Sequence, residues 1–406
     1  MLGGEVPLQL IEAGYRCIEL NIGMDHSKEN YFDYIKRVSN SYIDNTQKIP
    51  RLFPTTAIYL GTSYLPQVIG ISIFKIFTKN VMLLIASGRL FSLITYSLLM
   101  YFSIKIIPTK KIYLFFIGLL PIAIQEACSY AVDGYIFAIC TLFISYVLNL
   151  RSKSNEYLLT KKDKIILFIL SAFISSTKFV YMIVVFSVLL LNKNNFKNKK
   201  SRLLFLISLI LVSLCLNILS FVYAGVYKTE LRPIVNTSEQ TKYILENPFK
   251  YLFICFRSTN YWIEAIVGNI FGTSLGLLNV SVGSLYKFLS IVLFAIILVL
   301  DKDKAEYKAV KINNYVKIVF SIISIVVIGL VYTSEYVKWT GVRGNVIEGI
   351  QGRYFLPIFA LIPFIFDSEK IKIKNGLNWK YIYLFMAFLN IQVINSYLYS
   401  GILYKF

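Results

Sequence analysis

Long apolar stretches alternate with short polar segments along most of the chain. Predicted membrane crossings cover residues 81–104, 203–226, 285–300, 317–334, 353–367 and 381–400. A transmembrane helix needs about 20 predominantly apolar residues, and most of these stretches approach that length. The pattern therefore predicts an all-α, polytopic integral membrane protein with about eight to ten transmembrane helices.

The composition agrees with a membrane protein. Hydrophobic residues make up 56% of the chain and the mean hydropathy is +0.63, whereas charged residues contribute only 16%. Beyond residues 1–56, no polar segment is long enough for a separate soluble domain. We predict an external polar segment over residues 1–56 and a single membrane domain over residues 57–406.

Lys and Arg residues gather in five clusters between the apolar stretches. The clusters are Lys105, Lys110 and Lys111; Arg151, Lys153, Lys161, Lys162 and Lys164; Lys193, Lys197, Lys199, Lys200 and Arg202; Lys302, Lys304, Lys308, Lys311 and Lys317; and Lys370, Lys372, Lys374 and Lys380. Because an excess of Lys and Arg marks cytoplasmic loops, we place all five clusters on the cytoplasmic side of the membrane. This distribution explains the net charge of +20 without a nucleic-acid partner.

Two hairpins follow from the position of the clusters. The first two clusters are separated by about 40 mostly apolar residues, enough for two crossings. Their turn is predicted to carry Glu126, Ser129 and Asp133 to the outer membrane face. Residues 165–191 form a second hairpin with Lys178 at its tip. Each of its arms has about 13 residues, too few for a full crossing, which favours a re-entrant pair buried in protein.

The N-terminal part is harder to place. Residues 227–284 and 335–352 are predicted external segments, and residues 81–104 must enter the membrane from outside. Residues 1–80 then also lie outside, although they contain no signal-peptide pattern. Two interpretations stay open: the chain lacks a preceding transmembrane helix, or the N-terminal segment is cytoplasmic and residues 58–78 form the first span.

Several segments resemble a known family. They are AIYLGTSYLPQVIGISIF, GRLFSLITYSLLMYFSIKIIP, LLPIAIQEACSYAVDGYIFAICTLF, SAFISSTKFVYMIVVFSVLL and EGIQGRYFLPIFALIP. These segments resemble the bacterial polytopic proteins catalogued as domain-of-unknown-function family 2142, and the resemblance spans nearly the whole chain. The most specific pieces are QGRYFLP and the Ser-x-x-x-Asp element from Ser129 to Asp133.

That family is similar to the glycosyltransferase C superfamily. The resemblance implies a multi-span enzyme whose active site opens on the outer face and which takes sugars from polyprenyl-phosphate carriers. Members of the superfamily commonly carry an acidic motif and a histidine in the first external loop. This chain has no such motif, and its GGEVP at residues 3–7 is similar to a segment that normally follows it.

Three cations are predicted to meet in the outer half of the membrane. Arg89 lies about 12 Å along a span that enters from outside, at 1.5 Å per residue. Lys178 is at a hairpin tip and Arg353 at an outer helix end. Arg offers paired donors to phosphate oxygens and Lys a point charge, so together they favour an anionic lipid headgroup. The alternative is structural: Arg353 extends to the membrane surface and Arg89 pairs with a carboxylate such as Asp133.

Carboxylates and aromatic side chains complete the candidate site. Transfer of a sugar requires a base for the acceptor hydroxyl, and Asp133 and Glu126 are the candidate catalytic acids of the outer face. Trp339 is positioned to stack on a sugar ring, although an interfacial aromatic belt explains it equally well. The predicted substrate-binding set is Arg89, Lys178, Arg353, Gln351, Tyr181, Ser129 and Trp339.

No cofactor motif is present in the sequence. There is no phosphate-binding loop, no dinucleotide-binding glycine pattern and only one histidine, so no metal site is predicted, although one or two acids suffice for a divalent ion. The predicted function is transfer of a sugar from a polyprenyl-phosphate donor to an extracytoplasmic cell-envelope glycan. The alternatives are a lipid-linked glycan flippase or other transporter, or an inactive truncated family member.

Overall fold

The computed structural model describes residues 3–14, 31–53, 60–154, 156–225, 232–276, 280–301, 312–367 and 379–402. Within these ranges the fold is almost entirely helical. A two-stranded sheet pairs β1 (Gly3–Pro7) antiparallel with β2 (Lys48–Leu52). The predicted all-α, polytopic class is confirmed.

The helices follow one another with short connections. They are α1 Tyr31–Ser39, α2 Leu65–Phe77, α3 Val81–Ile106, α4 Lys111–Gly118, α5 Pro121–Ala127, α6 Asp133–Ser152, α7 Lys161–Ser175, α8 Lys199–Gly225, α9 Thr237–Glu246, α10 Pro248–Ile270, α11 Ser284–Leu300, α12 Asn314–Lys338, α13 Leu356–Phe359, α14 Ile362–Ile365 and α15 Trp379–Ile402. Residues 8–14 are also helical. Among the described residues, four segments form 3-10 helices: Gly61–Tyr64, Phe179–Leu190, Lys193–Asn195 and Gly352–Phe355.

Five of the described helices are long and apolar enough to cross a membrane: α3, α6, α8, α12 and α15. The predicted eight to ten crossings also counted apolar stretches that the structure divides or shortens. Pro121, Pro357 and Pro363 each lie in the first turn of a new short helix, where proline is tolerated because its missing N–H has no helical partner there. The chain is a multi-pass membrane protein, and lipid contacts its apolar outer faces.

Helix α6 lies at the centre of the bundle. Most of its residues are buried, and it packs against α3, α7 and the 3-10 helix Phe179–Leu190. It runs for 20 residues, or about 30 Å at 1.5 Å per residue. Its two ends therefore define two opposite ends of the molecule, one at Asp133 and the other at Arg151.

Basic residues collect at the Arg151 end. Arg151 Nη1 donates to the Leu190 carbonyl (2.6 Å) and Arg202 Nη2 to the neighbouring Leu191 carbonyl (3.5 Å). Lys110 pairs with Asp367 at 3.1 Å, and Lys317 Nζ also donates to the Asp367 carbonyl. The clusters at residues 302–311 and 370–374 lie outside the described residues. Members of four basic clusters thus share one end, as the hairpin interpretation requires.

The hairpin over residues 165–191 has short arms, as predicted. Helix α7 has 15 residues and the following 3-10 helix has 12, and the turn between them carries Lys178. The 3-10 helix packs against both α8 and α12. Lys178 is consequently held at the Asp133 end of the bundle.

The N-terminal region contacts the start of α3. The Ile43 N–H donates to the Lys79 carbonyl, and the Val81 N–H donates to the Ser41 carbonyl. Helix α2 then runs back along α3, where Gln67 Nε2 donates to Ser92 Oγ at 3.3 Å. With 13 residues, α2 is about 20 Å long and too short to cross a bilayer core of about 30 Å. Helix α2 alone is therefore shorter than a membrane span, and the side of the membrane on which the N-terminal segment lies stays a prediction.

Candidate functional site

Asp133 and Glu126 lie side by side because two helix ends meet closely. Gly134 follows Asp133 in the first turn of α6, and a Cβ atom there would lie 2.7 Å from the backbone of Glu126 and Ala127. Only glycine permits this approach of α5 to α6. Asp133 occupies the first turn of α6, where the helix dipole favours a negative charge.

Two cations from distant parts of the chain pair with these carboxylates. Lys178 Nζ lies 2.5 Å from Asp133 Oδ1. Arg353 bridges both acids: its Nε lies 3.6 Å from Asp133 Oδ2 and its Nη1 lies 3.5 Å from Glu126 Oε1. We call Glu126, Asp133, Lys178 and Arg353 the charge cluster.

The position of Arg353 depends on a second close backbone contact. Arg353 follows Gly352, and a Cβ atom at Gly352 would lie 2.6 Å from the Ile266 carbonyl oxygen of α10. The short 3-10 helix Gly352–Phe355 begins there. On its other side, Tyr181 Oη donates to the Tyr354 carbonyl at 2.9 Å. The segment is thus fixed between α10 and the 3-10 helix that begins after Lys178.

Tyr354 adds an aromatic face to the cluster. Lys178 Nζ lies 5.0 Å from the centre of its ring, and the Arg353 guanidinium carbon lies 5.3 Å away. Both distances are within the range of cation–π attraction. The sequence analysis did not select Tyr354, although it follows Arg353 directly in QGRYFLP.

Of the two paired acids, Asp133 lines a neighbouring cavity and Glu126 lies outside its lining. Glu126, which lies outside the candidate spans, is only 1% exposed. Burial raises the pKa of its carboxyl group, and the nearby Arg353 guanidinium opposes that rise. Its Oε2 atom has no hydrogen-bond partner among the described residues. Glu126 therefore holds Arg353 from behind the site.

A cavity of about 550 Å³ lies next to the charge cluster. Its lining includes Tyr64, Tyr130–Asp133, Thr177–Tyr181, Asn217, Ser220, Leu330, Val331, Thr333–Glu335, Val337–Trp339, Gly349, Gln351, Arg353 and Tyr354. Two of its walls come from the candidate spans α8 and α12. The cavity thus combines charged groups at one end of the bundle with apolar side chains of α12, namely Leu330, Val331 and Val337.

The predicted site residues divide into two groups. Asp133, Lys178, Tyr181, Trp339, Gln351 and Arg353 line the cavity, whereas Glu126, Ser129 and Arg89 do not. Ser129 Oγ accepts the Ala131 N–H and donates to the Glu126 carbonyl, so it shapes the turn. The functional roles of all these residues stay predictions.

Two details of the structural alternative for the cations differ from what the structure shows. Arg89 is exposed on α3, and the described ion pairs of Asp133 are with Lys178 and Arg353. Arg353 bridges the two acids within the protein instead of extending to the membrane surface. Residue spacing placed Arg89 at a suitable depth, but the face of the helix on which it lies depends on the packing of α3.

Sequence analysis missed two charged residues that line the cavity, Glu335 and Lys338. Both belong to the last turn of α12, which continues into the predicted external segment 335–352. One signal was present in the sequence. An acid in the last turn of a long apolar helix lies at the negative end of the helix dipole, where it is unfavourable without a further purpose.

These features define a class: an α-helical, multi-pass membrane protein with a paired charge cluster beside a cavity at one end of its bundle. The chain matches the model of the family described as Predicted membrane protein (DUF2142) over residues 14–362, and it belongs to this family. No curated protein and no solved structure matches it. The parts of the chain that the structure describes contain no group of three or more His, Cys, Asp or Glu residues suited to a metal ion.

Proposed function

We propose that the protein is a glycosyltransferase of the bacterial plasma membrane. It moves a sugar from a polyprenyl-phosphate donor to an extracytoplasmic cell-envelope glycan. The observation that carries the proposal is the presence of Lys178 and Arg353 on the wall of a cavity that is also bounded by membrane helices. A lipid-linked sugar phosphate presents the matching combination of an anion, a polar ring and an apolar tail.

The two cations are suited to a phosphate group. Arg353 contacts the acids through Nε and Nη1, and because a guanidinium carries five N–H donors, it retains donors for another acceptor. Lys178 supplies a compact charge beside it. Their ion pairs with Asp133 and Glu126 fix both side chains before the ligand arrives, which lowers the entropy cost of binding.

The remaining lining supports binding of the sugar and of the tail. Tyr354, Trp339 and Gln351 offer aromatic faces and an amide for a sugar ring. Leu330, Val331 and Val337 of α12 line the cavity toward the membrane helices. A volume of about 550 Å³ suits a sugar phosphate headgroup, since small-molecule sites occupy about 300–1,000 Å³. The long tail then lies in the surrounding lipid.

The test measures sugar transfer in membrane vesicles that contain the protein. Radioactive nucleotide sugars label the polyprenyl-phosphate sugars of the vesicles, and radioactivity in the envelope-glycan fraction is counted. Lys178→Ala and Arg353→Lys should each lower transfer by about 10- to 100-fold, the loss expected for a hydrogen bond to a charged group. Lys242→Ala, which removes an exposed lysine of α9, is the matched control and should transfer normally.

The abundance of each variant in the membrane is measured in parallel. Transfer by wild-type protein together with loss in both cation variants, at equal abundance, supports the proposal. Movement of labelled lipid-linked sugar across the bilayer without any transfer to glycan would overturn it in favour of a transporter. Normal transfer by the Lys178 and Arg353 variants would also overturn it.

A further inference from the structure

A third acid, Glu335, lines the cavity in a different electrostatic setting from the two paired acids. Asp133 has an ion pair at each carboxylate oxygen, and Glu126 lies behind Arg353, outside the lining. Glu335 has no ion pair with any residue of the described ranges. The charges of Lys178 and Arg353 nevertheless act on it. Glu335 is therefore the acid that lines the cavity without a paired cation among the described residues.

The local backbone holds Glu335 in this position. Its carbonyl accepts the N–H groups of Trp339 and Thr340 (both 3.0 Å) and the Thr340 hydroxyl (3.1 Å), which close the last turn of α12. After α12 the chain comes back toward the end of this helix at Gly349, whose φ of +84° favours glycine. A Cβ atom at Gly349 would lie 2.8 Å from Glu335 Oε2. The carboxylate is thus confined between the end of α12 and the Gly349 backbone.

A purely structural role explains this acid poorly. A carboxylate in the last turn of a helix is opposed by the helix dipole. An acid within a membrane helix is costly and usually faces a polar cavity. Glu335 combines both disadvantages and, within the described residues, has no ion pair to offset them.

We propose that Glu335 is the general base that activates the acceptor hydroxyl, an inference that rests on the proposed transferase function. In this step the acceptor O–H proton passes to the Glu335 carboxylate while the acceptor oxygen forms a bond to the anomeric carbon of the sugar. The bond between that carbon and the phosphate oxygen breaks. The leaving polyprenyl phosphate takes the electron pair, and Lys178 and Arg353 stabilise its charge.

The different roles of the three acids follow from their contacts. A base needs an oxygen that is accessible to the acceptor and not already engaged by a cation. Asp133 and Glu126 position Lys178 and Arg353, so their negative charge is used in holding the phosphate site. Glu335 lines the same cavity and interacts electrostatically with both Lys178 and Arg353. It forms no ion pair with either cation.

The experiment compares Glu335→Gln and Glu335→Asp with wild-type protein in the labelled-vesicle assay. Glu335→Gln should lower the transfer rate by about 100-fold or more, because general-base catalysis contributes about 10²- to 10⁴-fold. Binding of undecaprenyl phosphate in detergent micelles, measured separately, should change by less than about threefold. Glu335→Asp should restore part of the rate. Glu264→Gln, on the exposed side of α10, is the matched carboxylate control and should behave as wild type.

The outcomes separate this inference from the proposed function. If wild-type protein transfers no sugar, the proposed function fails and the role of Glu335 fails with it. If wild-type protein transfers sugar and Glu335→Gln does so at the same rate, only the role of Glu335 is overturned. A parallel loss of undecaprenyl phosphate binding and rate in Glu335→Gln would also overturn it, because that result indicates a binding group. A loss of rate with retained binding, and a pH profile whose acidic limb disappears in Glu335→Gln, supports it.

Discussion

The buried ion pair at the far end of the bundle allows a quantitative test of how the site is held. Lys110 Nζ lies 3.1 Å from Asp367 Oδ1, and the two side chains are 0% and 1% exposed. Lys110 directly precedes α4, and Asp367 follows α14. The pair therefore joins the chain segment that leads to Glu126 with the segment that begins at Arg353. The same two segments meet again in the charge cluster.

Replacing Lys110 with Met removes the charge that offsets a buried carboxylate. Breaking a buried ion pair in this way costs about 3–5 kcal/mol, much more than an exposed pair contributes. Replacing both residues, as Lys110→Met with Asp367→Leu, should recover most of that loss because no buried charge then remains. The two single changes are consequently expected to be strongly non-additive.

The assay is the free energy of unfolding in mixed detergent micelles for wild type, both single variants and the double variant. Lys105→Met, which removes an exposed lysine from the same end of the bundle, is the control and should shift the unfolding free energy by less than about 0.5 kcal/mol. A Lys110→Met variant within about 1 kcal/mol of wild type would refute the reasoning. So would a double variant whose loss equals the sum of the two single losses.

Two further changes test local features. Gly134→Ala places a Cβ atom 2.7 Å from the backbone of Glu126 and Ala127; overpacking of this kind costs about 1–3 kcal/mol, and the melting temperature and undecaprenyl phosphate binding should both fall. At the other end, burial disfavours the charged form of Asp163, but hydrogen bonds from Tyr157, Tyr146 and Thr160 outweigh it and lower its pKa to about 2. This stabilisation is complete above the ordinary pKa and is lost as the pH falls toward 2, so Asp163→Asn should cost about 0.5–2 kcal/mol at neutral pH and progressively less in acid, as measured by unfolding at several pH values.

Hairpin reasoning placed Asp133 and Lys178 at the turns of two separate hairpins. Both residues were placed at turns between apolar arms that start from basic clusters, and the turns meet in the structure. The argument needed only the length of the apolar runs and the side on which lysines collect. Those two quantities are properties of the sequence, so the end of the bundle at which each turn lies was predictable.

The orientation of helix faces and the positions of helix breaks were harder to predict from the sequence. Arg89 lies at a reasonable distance along α3, but each residue turns a helix by about 100°, and only packing decides which face meets the cavity. Residues 353–367 were predicted as one crossing, whereas the prolines within them start two separate short helices. The sequence analysis assigned Glu335 to an external loop because the predicted crossing ends at residue 334. In the structure, α12 continues to Lys338.

The formal charges around the cavity balance one another in a way that fits the proposed chemistry. The cations Lys178, Arg353 and Lys338 are matched by the anions Glu126, Asp133 and Glu335, so the unliganded site is close to neutral. A sugar phosphodiester adds a negative charge beside Glu335, and a nearby negative charge increases the affinity of a carboxylate for a proton. Binding of the donor would therefore strengthen Glu335 as a base at the moment when the acceptor must be deprotonated.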